Sequence, residues 1–128
     1  MKPAPLLALA LAAAPAAPAA PAADVTVGKE MNGKTVALGR GRTLAIRLPS
    51  NATTGYSWTV SALPPILKRA GDAYLGPRQP IPGAGGAQLL RFQALRGGRG
   101  TLRLAYKRPW EKDWPPPAER YALIVVVR

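Results

Sequence analysis

Histidine and cysteine, the two residue types that supply most general bases, thiol nucleophiles and zinc ligands, do not occur in this chain. Its carboxylates number six. Only Glu111 and Asp113 stand close together, and with Lys112 between them they read as charges that solvate a loop. No acid/base pair or metal-ligand set follows from such a composition. The chain is expected to bind and not to catalyse, with neither metal nor cofactor.

The residues suited to binding fall in three stretches. The first is Ser50-Asn51-Ala52-Thr53-Thr54-Gly55-Tyr56-Ser57-Trp58. Asn51 suits a turn, since its side-chain amide bonds backbone two residues on, and Gly55 accepts a positive φ or the close approach of a foreign backbone. The second is Gly83, Gly85 and Gly86, in a segment from Gly76 that also holds Pro77, Pro80 and Pro82 and is expected to be loop. No Gly-Lys-Ser/Thr follows it, so it is not a phosphate cradle. The third is Arg108-Pro109-Trp110, with a guanidinium of several donors, a fixed φ and a large flat ring. Plainer readings stand beside these. Asn51-Ala52-Thr53 is also a glycosylation sequon. The phase of the strand places Tyr56 and Trp58 in the core before it offers them as contacts. Trp110 and Trp114 could both cap the end of the fold, and Trp114, with no motif around it, is assigned there.

These stretches must be held by strands. From Tyr56 the pattern has period two, with Tyr56, Trp58 and Val60 on one face, up to Ser61. Before it, Thr43 to Leu48 alternates with Leu44, Ile46 and Leu48 inward, and Pro49 ends the run. Short β-type pieces at Val25–Val27 and 35–38 are expected to form an edge, and a weaker extended piece lies between Ile66 and Leu75. Gln88 to Leu95, with Leu90 and Phe92 inward, and Thr101 to Lys107, with Leu102, Leu104 and Tyr106 inward, read as a hairpin around Gly97-Gly98-Arg99-Gly100. Tyr121 to Val127 is a β-branched run suited to a central strand. About seven strands and no helix predict an all-β, antiparallel sandwich of immunoglobulin-like topology, without a disulfide. Because the chain reverses at each connection, the loops carrying Asn51 to Gly55, Gly83 to Gly86 and Arg108 to Trp110 must leave from one end. The chemically unusual loops therefore share a pole.

Residues 1–23 read differently. Lys2, the run Leu6 to Leu11 and the small-x-small patterns Ala17-Pro18-Ala19 and Ala20-Pro21-Ala22 have the form of a cleaved signal peptide. The apolar run is far short of the about 20 residues a membrane span needs. The folded domain is expected over 24–128, secreted or periplasmic, with no membrane attachment after cleavage and as a monomer. Roughly 105 residues bury one core without metal or disulfide. The formal charge is +12, with arginines scattered along the chain. Such a balance either solvates the surface or speeds capture of acidic partners.

With all three stretches in view, the mature sequence resembles the chagasin family of cysteine-peptidase inhibitors. Its first motif is matched by Asn51, Thr53, Thr54, Gly55, Tyr56 and Trp58, its second by Gly83, Gly85 and Gly86, and its third by Arg108, Pro109 and Trp110. Ala52 departs from the pattern by standing where the family has proline. The resemblance implies an immunoglobulin-like sandwich whose three loops enter the cleft of papain-like cysteine peptidases. Thr53, Thr54 and Gly55 would sit over the catalytic cysteine, with the glycine loop and the Arg108 loop on its flanks. It implies a reversible competitive inhibitor, with no nucleic acid as partner. A different reading of the charge alone is a secreted basic sandwich that binds nucleic acid or an anionic surface polymer.

Overall fold

The computed structural model describes residues 24–77, 85–111 and 114–128. The leader assigned to 1–23, together with Gly83 and Asp113, lies outside the described residues. The strands are β1 (Val25–Val27), β2 (Thr35–Leu38), β3 (Thr43–Ser50), β4 (Ser57–Ala62), β5 (Leu67–Leu75), β6 (Gly86–Ala94), β7 (Gly98–Lys107) and β8 (Glu119–Val127). Single 3-10 turns cover Lys29–Met31 and Ala52–Thr54.

The strands form two four-stranded sheets, in the orders β1-β3-β6-β5 and β2-β8-β7-β4. Every neighbouring pair is antiparallel except β1 with β3 and β2 with β8. This is the expected immunoglobulin-like sandwich, with one more strand than anticipated and with mixed sheets. The parallel pairs arise because Val25–Val27 and Thr35–Leu38 do not share an edge. Each closes the edge of a different sheet.

Alternation explains the core. Leu44, Ile46 and Leu48 from β3, Leu90 and Phe92 from β6, Leu102 and Leu104 from β7, and Tyr121, Leu123 and Val125 from β8 are all fully buried between the sheets. Each such aliphatic or aromatic side chain contributes about 1.5–3 kcal/mol on leaving water. β8 is an inner strand, as its composition suggests.

The anticipated hairpin between Gln88–Leu95 and Thr101–Lys107 is not formed. β6 belongs to one sheet and β7 to the other, so the turn at Leu95–Gly97 carries the chain across the sandwich. Both strands point their apolar faces inward, and that pattern satisfies a sheet-to-sheet crossing as well as a hairpin. The hairpins are β5–β6 and β7–β8. Leu95 N–H donates to the Ile66 carbonyl and Gly41 N–H to the Ala94 carbonyl, which ties the remaining connections into the opposite pole.

Candidate functional site

β3 ends at Ser50, and the chain turns through Asn51 to Tyr56 before β4 begins. The turn is fastened from within. Asn51 Oδ1 accepts from Thr53 N–H at 3.1 Å and from the Thr53 hydroxyl at 2.6 Å. The Thr54 hydroxyl donates to the Asn51 carbonyl at 2.7 Å and accepts from Tyr56 N–H at 3.3 Å. Thr54 N–H and Gly55 N–H close the 3-10 turn on the carbonyls of Asn51 and Ala52. Gly55 then takes φ 82°, a left-handed conformation costly for any residue with a Cβ.

The core grips this turn at three points. Asn51 N–H donates to the Tyr106 hydroxyl at 3.1 Å. Trp58, 3% exposed, donates its indole N–H to the Pro49 carbonyl at 3.0 Å. Gln88 reaches across from the other sheet, accepting from Trp58 N–H and donating to the Trp58 carbonyl, both at 2.8 Å. Trp58 is thus core, as its phase predicts. Tyr56 is half-buried and stacks on Tyr106, with ring centroids 5.3 Å apart.

The Arg108 loop joins the turn directly. Arg108 Nε donates to the Thr54 carbonyl at 3.3 Å, and its guanidinium lies 4.5 Å from the centre of the Tyr56 ring. Trp110 lies over Gly55, so that a Cβ there would come within 2.8 Å of the indole Cη2. A turn from the Arg108 carbonyl to Glu111 N–H holds Pro109 and Trp110 at its tip. Trp110 is 69% exposed and Trp114 is 81% exposed. Neither caps the sandwich, which corrects the assignment of Trp114. The core beneath is already closed by Trp58, Tyr106 and Tyr121, whose rings pack edge to face or tilted.

The glycine stretch rejoins the sandwich beside the first loop, at the start of β6. Gly86 pairs with Ser50, the last residue of β3, and a Cβ on Gly86 would collide with the Leu75 carbonyl and the Tyr74 hydroxyl. Gly85 sits against the Ser50 carbonyl and Asn51. Asn51, Thr53, Thr54, Gly55, Tyr56, Gly85, Gly86, Arg108, Pro109 and Trp110 therefore share one pole. Tyr106 and Gln88, which hold it in place, were not singled out from sequence. Tyr106 was legible only as an inward-facing aromatic, and nothing local ties its hydroxyl to a residue 55 positions earlier.

A sandwich that fastens two of its loops to each other at one end, with Gly85 and Gly86 beside them and Trp110 exposed, presents a surface of the kind that docks on another protein. Residues 37–125 match the Chagasin family peptidase inhibitor I42. Chagasin of Trypanosoma cruzi is 32% identical over 89 residues, spanning 66% of this chain and 81% of that protein. Amoebiasin-1 of Entamoeba histolytica is 29% identical over 89 residues, spanning 67% and 84%. The crystal structure of a cysteine protease inhibitor from Entamoeba histolytica superposes with a TM-score of 0.71, covering 84% of this chain and 100% of that one at 22% identity. The chain belongs to the chagasin family of cysteine-peptidase inhibitors, and it is not an enzyme.

Proposed function

We propose that the protein is a reversible, competitive inhibitor of papain-like cysteine peptidases that fills the active-site cleft with this pole. The contacts are assigned to Asn51, Thr53, Thr54, Gly55, Tyr56, Gly83, Gly85, Gly86, Arg108, Pro109 and Trp110. The observation that carries the reading is the fastening of the first loop to the third, through Arg108 on the Thr54 carbonyl and Trp110 over Gly55. A wedge ordered before binding loses little entropy when it docks.

The same geometry accounts for occupation without cleavage. A cysteine peptidase needs a carbonyl placed for attack by its thiolate, with the oxygen directed at an oxyanion hole. Here the Asn51 and Ala52 carbonyls accept the turn's own N–H groups, and the Thr54 carbonyl accepts from Arg108. Gly55 lets backbone approach the thiolate, while the 3-10 turn keeps that backbone from lying extended as a substrate. Trp110, exposed and rigidly based, is the type of aromatic anchor that concentrates binding energy.

The inhibitor acts outside the cytoplasm in this reading, delivered by the leader over 1–23. Amino-terminal sequencing of the exported protein checks this, since a start near Asp24 is expected. The binding surface is tested by hydrogen exchange on a complex with papain whose active-site thiol is alkylated. Protection is expected at 51–56, 83–86 and 108–111, and protection confined to the opposite pole would contradict the assignment.

A further inference from the structure

Peptidase inhibition leaves the charge of this chain unused. Among the described residues the ion pairs are Lys29 with Glu119 at 2.9 Å, Arg42 with Asp24 at 3.6 Å and Arg69 with Asp72 at 2.7 Å. None of them involves Arg99, Arg103 or Arg120, three exposed arginines on the outer face of the β2-β8-β7-β4 sheet. The register puts Arg103 opposite Ala122 and Arg120 opposite Ala105, so the two guanidinium stems are diagonal neighbours on adjacent strands. They line one groove of about 500 Å³ together with Asn32, Ser61 and Pro117. Ser61 is the extra residue of a bulge in β4, where the pairing with β7 slips. Asn32 is held by Ala122 N–H and the Arg120 carbonyl, which fixes one wall.

We infer that this groove binds an acidic polysaccharide, with Arg103 and Arg120 each taking one sulfate or carboxylate of the chain. A guanidinium matches such planar or tetrahedral oxyanions with two parallel donors. The polymer class follows from what the groove offers. Its one aromatic, Tyr121, is buried at 1% exposure, so there is no ring for a base to stack on, as single-stranded nucleic acid requires. The groove is a recess in a sheet face, so it offers no helix or two-stranded ribbon projecting into the major groove of a duplex. The site lies on the side of the sandwich and leaves the pole of Asn51 to Gly55 free. The inhibitor held this way stays concentrated on a polymer matrix while it captures peptidases.

The test measures affinity of the purified protein for dextran sulfate, polygalacturonate, neutral dextran and a single-stranded oligonucleotide at 150 mM salt. Two double variants of equal charge change are compared, Arg103→Ala with Arg120→Ala and Lys68→Ala with Arg96→Ala. The first is expected to bind one or both acidic polysaccharides about tenfold more weakly and the second less than twofold, with papain inhibition unchanged in both. The pair Arg103→Gln with Arg120→Gln keeps the aliphatic cover of the sheet and is expected to show the same loss if the alanine pair folds poorly. Binding of the sulfated polymer alone, or of the carboxylated one alone, identifies the anion. Equal losses in the two double variants would reduce the effect to net charge and overturn the site. Undetectable binding of both acidic polymers overturns it as well, and so does an oligonucleotide that binds more tightly through the same arginines.

Discussion

Gly55 joins two constraints that no other residue type meets, a φ of 82° and an indole over the place a Cβ would occupy. Gly55→Ala must move Trp110 or distort the turn. It is expected to cost about 1 kcal/mol of stability and at least tenfold in inhibition, read by thermal unfolding and a papain assay. Trp110→Ala separates the two effects. With the residue 69% exposed, its loss is expected to leave stability within about 0.5 kcal/mol while inhibition weakens about thirtyfold or more. Inhibition by Trp110→Ala equal to that of the parent protein would remove Trp110 from the interface. Ala52 opens the 3-10 turn, a position where a proline costs no hydrogen bond, and Asn51 before it has the extended φ −118° and ψ 103° that proline prefers. Ala52→Pro is therefore expected to stabilise by about 0.5 kcal/mol and tighten inhibition two- to fivefold. At this scale the sequence was informative, because turn formation by Asn51 and backbone freedom at Gly55 are properties of the residues themselves. The contact of Arg108 with Thr54 was not legible, since it joins loops 54 positions apart.

Between elements, the decisive contacts run from sheet to sheet. Gln88 on β6 bonds both backbone groups of Trp58 on β4. Gln88→Ala leaves both of these groups unpaired beside the core and is expected to destabilise by about 1–3 kcal/mol in denaturant unfolding. Tyr121 on β8 donates its hydroxyl to the Gly28 carbonyl at 2.8 Å. Burial, and to a lesser degree the charge of Glu30, push its pKa up from 10.0 to about 12. The folded state thus keeps this proton after the unfolded chain has lost it. The associated stability is complete below pH 10 and is lost as pH rises through 10 to 12, amounting to about 2–3 kcal/mol. In Tyr121→Phe this component of the alkaline loss is expected to be absent, so the difference from the parent protein should narrow as pH rises from 10 to about 12. A gap that stays constant with pH would contradict the assignment. Strand positions and inward faces were readable from alternation, as Leu44, Ile46, Leu48, Leu90 and Phe92 show. Partner choice was not. The inward pattern of β6 and β7 is the same whether they pair or face each other, and only the long-range ladders of β3 and β8 decide it.

For the whole molecule, the pole follows from strand reversal and the sandwich from the number and alternation of the strands, and both were accessible without coordinates. The surface of the pole was not accessible in that way. With no motif around it, Trp114 reads as cover for the core, yet Tyr106, Trp58 and Tyr121 close that end and leave Trp114 and Trp110 in solvent. An exposed tryptophan beside a fastened turn suits a protein whose function is docking. The central claim is that this end of the molecule enters a peptidase cleft and competes with substrate. It is met most directly by papain hydrolysis of a fluorogenic peptide, followed with the domain from Asp24 onward at low and high salt. Nanomolar inhibition is expected, with KM rising, kcat unchanged and little loss in salt, because a preformed wedge with one exposed aromatic anchor, and not net charge, supplies the affinity. Inhibition that lowers kcat at constant KM, or that vanishes in salt, would contradict the account by placing the binding surface elsewhere.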